Sequence, residues 1–172
     1  MSKSNEAGLG KLPPKYNFVF NPYPDDRVTR CPFCGGKTGQ RKLPLFIHVK
    51  PMHFTVMNFT NRYCAACDLL IVHKHEFEHI LTEMFKQRDP TVIGNDYFVV
   101  GTVEKEAWRA GMRDQDAMTM AELPEHLHPF KTYYQELRST QAGWFAEDQE
   151  PPLREPPPSR EWVRPDQFED KR

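Results

Sequence analysis

The chain lacks several features that would assign it to a familiar functional class. No apolar run in its 172 residues approaches the roughly 20 residues that a membrane-spanning helix needs, and it does not open on a charged-then-apolar leader. It also has no glycine-rich phosphate loop, no Ser/His/Asp arrangement that spacing supports, and no internal repeat. We therefore expect a cytoplasmic protein without a membrane partner, and a binding module in preference to an enzyme.

The chain is also poor in apolar residues and rich in proline. Hydrophobic residues make up 38% of it and there are 16 prolines, so part of the chain is not expected to pack into a core. Most of the prolines fall near the two ends. This composition predicts an extended or disordered segment over residues 1–26 and a disordered tail over residues 141–172. Trp162 and Phe168 are either anchors for a partner or part of a solvated terminus.

Acidic residues are missing from residues 27–67. This stretch contains seven basic residues and no Asp or Glu, whereas the whole chain has a formal net charge of −1. Positive charge is therefore concentrated in one segment. A basic segment interleaved with aromatic residues is typical of proteins that contact phosphates and stack on bases. The predicted contacts with RNA or DNA are Arg30, Lys37, Arg41, Lys42, Lys50 and Arg62, with Phe46, Phe54, Phe59 and Tyr63 as candidate stacking residues.

Two cysteine pairs use all four cysteines of the chain. They are Cys31-Pro32-Phe33-Cys34 and Cys64-Ala65-Ala66-Cys67. Two thiolates at this spacing reach one ion from a single tight turn, and zinc in structural sites prefers four such ligands. Gly35 suits a turn that needs a positive φ and leaves room beside the sulfur of Cys34. The spacing predicts one zinc ion bound by Cys31, Cys34, Cys64 and Cys67.

The first motif, C-P-x-C-G at residues 31–35, resembles the first knuckle of the zinc ribbon superfamily. The resemblance covers roughly residues 28–75 and implies a small antiparallel β-ribbon closed by zinc. It implies no activity, because zinc ribbons occur in proteins of many functions. The chain departs from the family at Asp68, where glycine is usual, and in the 29 residues that run from Gly35 to Tyr63.

Two other interpretations of the cysteines are a redox motif and a disulfide pair. Gly35-Gly36 is a poor start for the helix that lowers the thiol pKa in a redox motif. The second cysteine pair favours a metal, and the lack of an export signal argues against an oxidising compartment.

Alternating apolar residues predict strands around the cysteine pairs. Leu43, Leu45, Ile47 and Val49 share one face of a strand, and further strands are expected over residues 54–63 and 69–72. A sheet of this size is marginal in water, whereas a structural zinc site supplies an apparent ~10–16 kcal/mol in small peptides. We therefore expect the metal to decide whether this region folds.

A helix is predicted over residues 75–87, ending before Asp89-Pro90. Its apolar face centres on Phe77 and should cover the ribbon. The helix also contains His75-Glu76-Phe77-Glu78-His79, which matches the H-E-x-x-H motif of zinc proteases. Because the histidines are predicted to face solvent and no third ligand is evident, a metal-dependent hydrolase using His75, Glu76 and His79 is the least favoured function.

The remaining sequence predicts a short α/β extension. Residues 97–100 should form a buried strand, and Thr102 should cap a brief helix that stops near Gly111. Asp114 and Asp116 are interpreted as a helix start or a solvated turn. A last helix is expected from Pro129. Four of its residues should share one face: Phe130, Tyr133, Tyr134 and Leu137.

Together these patterns predict an α+β fold, a small zinc-stabilised antiparallel β-ribbon with a packed helix, a short α/β extension and disordered proline-rich termini. The expected divisions are an N-terminal segment over 1–26, the ribbon with its helix over 27–90, the extension over 91–140 and the tail over 141–172. The expected function is a zinc-binding interaction module that binds nucleic acid. The alternative is a protein–protein adaptor that binds no nucleic acid.

Overall fold

A curled sheet of seven strands forms most of the protein, as seen in a computed structural model that describes residues 10–113 and 123–164. The sheet strands are β1 (Asn17–Asn21), β2 (Gly39–Val49), β3 (His53–Cys64), β4 (Leu69–His73), β5 (Tyr97–Val103), β6 (Leu127–Pro129) and β7 (Thr132–Glu136). A separate two-stranded ribbon is made by β8 (Ser139–Thr140) and β9 (Leu153–Arg154). The helices are α1 (Lys74–Arg88) and α2 (Lys105–Arg113), with 3-10 turns at Pro90–Val92 and Leu123–His126.

The strand order explains why the sheet curls. The order is β6-β5-β2-β3-β4-β1-β7, so β6 and β7 are the two ends of the sheet. In the sequence, however, only Phe130 and Lys131 separate these two strands. One extended segment therefore pairs with β5 through its first half and with β1 through its second half. The sheet consequently closes toward itself as a half-barrel.

The predicted fold class is wrong. The protein is mostly β, and the ribbon strands belong to the half-barrel instead of forming a small zinc ribbon. The main error concerns the helix predicted from Pro129, which is the extended segment of β6 and β7. There Phe130 and Tyr133 pack against Phe18 of β1, with ring centroids 4.8 and 4.7 Å apart. This long-range pairing outweighs the helical spacing of the aromatic residues.

The other expected elements are largely confirmed. Leu43, Leu45, Ile47 and Val49 of β2 are all buried in the main core, and β3 and β4 cover the other two expected strands. Helix α1 begins where the His73 imidazole accepts a hydrogen bond from the Glu76 backbone N–H. It places Phe77, Leu81 and Phe85 in the same core, so α1 fills the concave side of the half-barrel.

The opposite face of β2 and β5 is covered by the second helix. Phe46, Val100 and Val103 pack with Ala107 and Trp108 of α2. Thr102 was predicted to cap this helix, but it lies within β5, and α2 begins at Lys105. The predicted turn at Asp114 and Asp116 lies outside the described residues. The sheet is therefore covered on both faces at β2 and β5.

The expected disorder of the proline-rich end is also wrong as far as residue 164. The Tyr23 hydroxyl donates to the Arg154 carbonyl over 2.9 Å and fixes β9. Trp162 is 8% exposed, packs on Phe85, and donates from Nε1 to the Asn95 carbonyl over 2.6 Å. Trp162 thus anchors the tail to its own chain, while Phe168 lies outside the described ranges.

The expected four-part division of the chain stays a prediction, although strands from three of its parts share the sheet. Within residues 10–113 and 123–164, every helix is too short or too polar to cross a bilayer.

Candidate functional site

The four cysteines lie together at one end of β3 and β4. Their sulfur atoms are all within 4.8 Å of one another. The closest pairs join the two motifs, at 3.5 Å between Cys34 and Cys64 and 3.8 Å between Cys31 and Cys67. Cys31 and Cys64 are buried, Cys67 is half-buried and Cys34 is exposed. The sequence prediction that these four residues meet is therefore confirmed, and the cluster could hold a metal ion.

The spacing of the sulfurs fits a tetrahedral ion. Four sulfurs at about 2.3 Å from zinc lie about 3.8 Å from one another, close to the two separations that join the motifs, and all of the sulfurs are within 4.8 Å of one another. A disulfide needs about 2.05 Å between its sulfurs, and all four cysteines are free.

Backbone N–H groups of the first motif point at sulfur atoms. The Phe33 N–H donates to Cys31 Sγ and the Gly36 N–H to Cys34 Sγ, each over 3.4 Å. The bond from Gly36, followed by the contact with Cys64, lowers the pKa of the Cys34 thiol to about 7. The contact with Cys34 then raises the pKa of Cys67 to about 12. An ion that binds all four sulfurs would displace the remaining protons.

The two glycines after Cys34 have different roles. Gly35 has a φ of +75°, as predicted from the sequence. The expected crowding of the sulfur occurs one residue later, because a Cβ on Gly36 would lie 3.3 Å from Cys34 Sγ whereas a Cβ on Gly35 would meet nothing within 4 Å. The turn therefore uses one glycine for its backbone angle and the other for space.

Asp68 takes the place of the expected glycine in the second motif. Its φ is +49°, a left-handed value that aspartate tolerates better than most residues. Its carboxylate accepts from the Tyr63 hydroxyl over 2.7 Å and pairs with Lys131 over 2.7 Å. Burial acts to raise the pKa of Asp68, but the bonds from Lys131 and Tyr63 outweigh it and lower that pKa. These contacts hold the turn without glycine.

Compared with family models, curated proteins and solved structures, the chain matches none. The four-cysteine cluster is therefore established by its geometry alone, and the resemblance to zinc ribbons rests on the residues of the two motifs.

The predicted nucleic-acid contacts are divided between two ends of β2. Arg41 and Lys42 lie in the half of β2 near the cysteine cluster, and Arg62 lies opposite Gln40 in the paired strand. Arg30 and Lys37 lie on either side of the first cysteine motif and pair with each other in an isolated antiparallel β-bridge. Lys50 follows the far end of β2, roughly 30 Å from Arg41 at about 3.3 Å per residue. Five of the six predicted residues are thus brought to one end.

Some of these cations have a role inside the protein. Arg62 donates from Nη2 to the Thr38 carbonyl and hydroxyl over 2.8 and 2.9 Å. The Arg41 guanidinium lies 3.9 Å from the centroid of the Tyr63 ring. Lys37 and Lys42 are exposed and have no ion-pair partner in the described part of the chain.

The candidate stacking residues are less available than the sequence suggested. Phe46 and Phe59 are 3% and 4% exposed and belong to the core. Phe54 stacks on Phe46, and the Tyr63 ring is covered by Arg41. Stacking on bases would therefore need aromatic rings other than these four.

The H-E-x-x-H residues form no cluster of metal ligands in the described ranges, where the four cysteines are the only such group. His79 is exposed and its Nδ1 lies 2.9 Å from Glu161 Oε2. Glu78 lies in the interior, 4% exposed, and accepts a 2.6 Å hydrogen bond from the Tyr97 hydroxyl.

Sequence reasoning missed the residues that support the second cysteine motif. Asn17 donates from Nδ2 to the Cys67 carbonyl over 3.0 Å, and its backbone N–H donates to the Asp68 carbonyl over 2.7 Å. Lys131 approaches from the segment between β6 and β7. No local sequence pattern connects Asn17 or Lys131 to the cysteines, because the pairing of β1 with its neighbouring strands brings these residues to the second motif.

Proposed function

We propose that the protein is a zinc-containing half-barrel that binds RNA or DNA through the basic residues around its cysteine cluster. One observation carries this proposal. Of the seven basic residues in the acid-free segment 27–67, none has a carboxylate within 4.0 Å among the described residues. Of the eight ion pairs among the described residues, seven have their cation outside this segment, and the eighth joins His53 to Asp89. The acidic remainder of the chain therefore does not neutralise the lysines and arginines of this segment by direct contact.

Zinc is the proposed metal because of the donor set. Four thiol ligands at tetrahedral spacing suit zinc, which has no redox chemistry of its own and is bound in this way in closed structural sites. With four protein ligands the ion has no open position for a substrate. It would act by holding the two cysteine motifs, and with them Arg30 and Lys37, against β2 and β3.

Unpaired surface cations are the groups that phosphate backbones attract. Each phosphate contact releases counterions, so binding weakens as salt rises. Lys37 and Lys42 are exposed and unpaired, and Arg30 is exposed beside the first motif. Since these side chains offer point charges and few exposed rings, we expect little sequence preference.

The test is a salt titration of a fluorescent single-stranded oligonucleotide with the metal-loaded full chain. If about four cations meet phosphates, log K should fall with log salt at a slope of roughly −3 to −4. The double substitution Lys37→Glu and Lys42→Glu should reduce this slope by about 2. The double substitution Lys11→Glu and Lys86→Glu is the matched control, because it changes the net charge equally and its lysines lie outside the segment, paired with Glu125 and Glu83. Metal analysis of the same preparation should give one zinc per chain.

Failure to bind RNA or DNA at low salt would overturn the nucleic-acid proposal and make a protein partner the leading alternative. Equal losses from this double substitution and from the control pair Lys11→Glu and Lys86→Glu would show that only net charge matters and would reject the basic face. A preparation that folds with no bound zinc and cannot take it up would reject the metal.

A further inference from the structure

A cavity of about 740 Å³ opens at one end of the half-barrel. Its walls come from segments far apart in sequence: the residues before β1, the first half of β2, the end of β5, the first turn of α2 and the start of β6. This volume lies in the range that holds a small molecule. The cavity is separate from the cysteine cluster, none of whose residues lines it.

Two buried polar side chains line the cavity without using all their hydrogen-bonding capacity. Thr102 and His128 are opposite residues of β5 and β6, and are 3% and 8% exposed. His128 Nδ1 lies 2.8 Å from the Pro13 carbonyl, and since a carbonyl only accepts, that nitrogen carries the proton. In the neutral ring Nε2 is then an acceptor. Neither His128 Nε2 nor the Thr102 hydroxyl has a partner in residues 10–113 and 123–164.

Both atoms are open to the cavity, because the unpartnered buried side-chain atoms of the described residues are Asn61 Oδ1 and Arg154 Nη2, and neither belongs to Thr102 or His128. A molecule that enters the cavity can therefore hydrogen-bond to both. The hydroxyl of Thr102 donates or accepts, and Nε2 of neutral His128 accepts. A group with N–H and C=O edges satisfies this pair.

The rim of the same cavity is basic. Lys15, Arg41 and Lys105 line it, and no carboxylate lies within 4.0 Å of any of them in the part of the chain that the structure describes. The carboxylates of Glu104 and Glu106 also line the cavity, at the α2 side, where Glu104 lies 3.7 Å from His126 Nδ1. Lys15, before β1, and Arg41, in β2, lie on other elements of the lining and are taken as the free positive pair.

Arg41 is held in place before any ligand arrives. Its guanidinium lies over the Tyr63 ring, and its Nη1 is 3.4 Å from the Tyr16 hydroxyl. The remaining N–H groups of the planar guanidinium suit two oxygens of one phosphate. Tyr16 lines the cavity with a φ of +67°, a left-handed value that is rare for so large a residue. Such backbone angles concentrate at ligand sites.

The geometry points to a nucleotide site. In this assignment the phosphate lies between Lys15 and Arg41, and the base lies inward, hydrogen-bonded to the Thr102 hydroxyl and His128 Nε2. The inference deepens the proposed function and rests on it where the nucleotide is the end of a bound strand. A free nucleotide has the same chemistry and would occupy the same cavity.

The test is calorimetric titration of the metal-loaded full chain with the four ribonucleoside 5′-monophosphates, inorganic phosphate and the four nucleosides. At least one monophosphate should bind ten or more times as tightly as phosphate or its own nucleoside. Arg41→Gln should weaken this binding at least tenfold. Lys42→Gln is the matched control, because alternate residues of a strand face opposite sides, and it should change the affinity less than twofold.

Thr102→Val separates a ligand contact from a structural role. Because the Thr102 hydroxyl has no partner in the described residues, its replacement by a methyl group of the same shape should leave thermal stability unchanged. The same substitution should weaken monophosphate binding about fivefold. If stability falls while affinity stays, or if no monophosphate binds more tightly than inorganic phosphate, the assignment is wrong.

Oligonucleotides distinguish the two sources of the nucleotide. A 5′-phosphorylated strand that displaces the monophosphate assigns the cavity to a strand end, and a strand that binds without displacing it assigns the cavity to a free nucleotide. Oligonucleotide binding with no monophosphate binding overturns the cavity assignment and leaves the proposed function standing. Monophosphate binding with no oligonucleotide binding supports the cavity and overturns the proposed function.

Discussion

The interior of the half-barrel and its cysteine end are held together by different forces. Among the described residues the interior buries seventeen, most of them from the sheet, α1 and the tail, with a continuous set of aromatic contacts around Phe18, Phe20 and Phe77. The cysteine end has a cluster of six buried residues, two of which are metal-ligand candidates. Its outer turn is exposed, with Phe33 at 51%. Apolar burial stabilises the first region, while hydrogen bonds and the metal ion that we propose stabilise the second.

This contrast changes what the metal is expected to do. A small ribbon would depend on zinc for its folding, but β2, β3 and β4 bury their apolar residues against α1 and β1. None of the cysteines belongs to the main core. We therefore expect the metal to order the two cysteine motifs and the half-barrel to fold without it.

The largest effect should come from Phe77→Ala. Phe77 is fully buried and its ring contacts Phe20, Phe59 and Tyr97 at centroid distances of 5.6, 5.7 and 5.7 Å. Loss of a buried ring in a packed core reduces the free energy of unfolding by about 3–5 kcal/mol. Denaturant unfolding followed by circular dichroism measures it. Ile80→Ala, on the exposed side of the same helix, should cost less than about 1 kcal/mol, and equal losses would show that α1 does not seal the interior.

A smaller effect is expected from Tyr97→Phe. Burial, and then the carboxylate of Glu78, raise the pKa of Tyr97 well above its usual value. The phenol therefore stays protonated and donates a hydrogen bond to Glu78. The substitution leaves a buried carboxylate without this donor and should reduce the free energy of unfolding by about 1–3 kcal/mol.

Tyr134→Phe is the control for that measurement, because Tyr134 is 39% exposed; its stability should stay within about 0.5 kcal/mol of the parent. A Tyr97→Phe protein as stable as the parent would mean that Glu78 is satisfied by another group.

The smallest effect on global stability should come from Cys34→Ser, although this change removes a metal ligand. We expect the zinc content to fall well below one per chain and the free energy of global unfolding to change by less than about 1 kcal/mol. Hydrogen exchange should show amide protection reduced at least tenfold, about 1.4 kcal/mol, in residues 28–38 and 64–68 but not in residues 43–49.

Ala65→Ser serves as the control, since Ala65 is exposed and lies inside the second motif without being a ligand candidate. Loss of protection throughout the sheet in Cys34→Ser would show that the two regions fold as one unit.

Local patterns predicted the parts of the molecule whose partners are close in sequence. The alternation of Leu43, Leu45, Ile47 and Val49 and the helical period around Phe77 were sufficient for β2 and α1. The cysteine cluster was predictable because each pair is held by one tight turn. In these cases a single periodicity or spacing decides the structure.

The failures concern residues whose partners are distant. Phe130 and Tyr133 fit one face of a helix as well as they fit a strand, and only the pairing with β1 decides between the two. Trp162 of the tail packs on Phe85 and Tyr97, which are far from it in the sequence. The cavity combines Lys15, Arg41, Thr102 and His128, and no sequence motif connects them.

Because one segment forms both ends of the sheet, the sheet can close only after that segment has been synthesised. β1 pairs with β7 through Asn17 and Thr132, about 115 residues apart. At roughly 5–20 residues per second, a ribosome needs on the order of 6–23 s to make that length. Until then Phe18 and Phe20 have no final neighbour on that side, so the nascent chain must keep its first strand soluble or shielded while the rest is made.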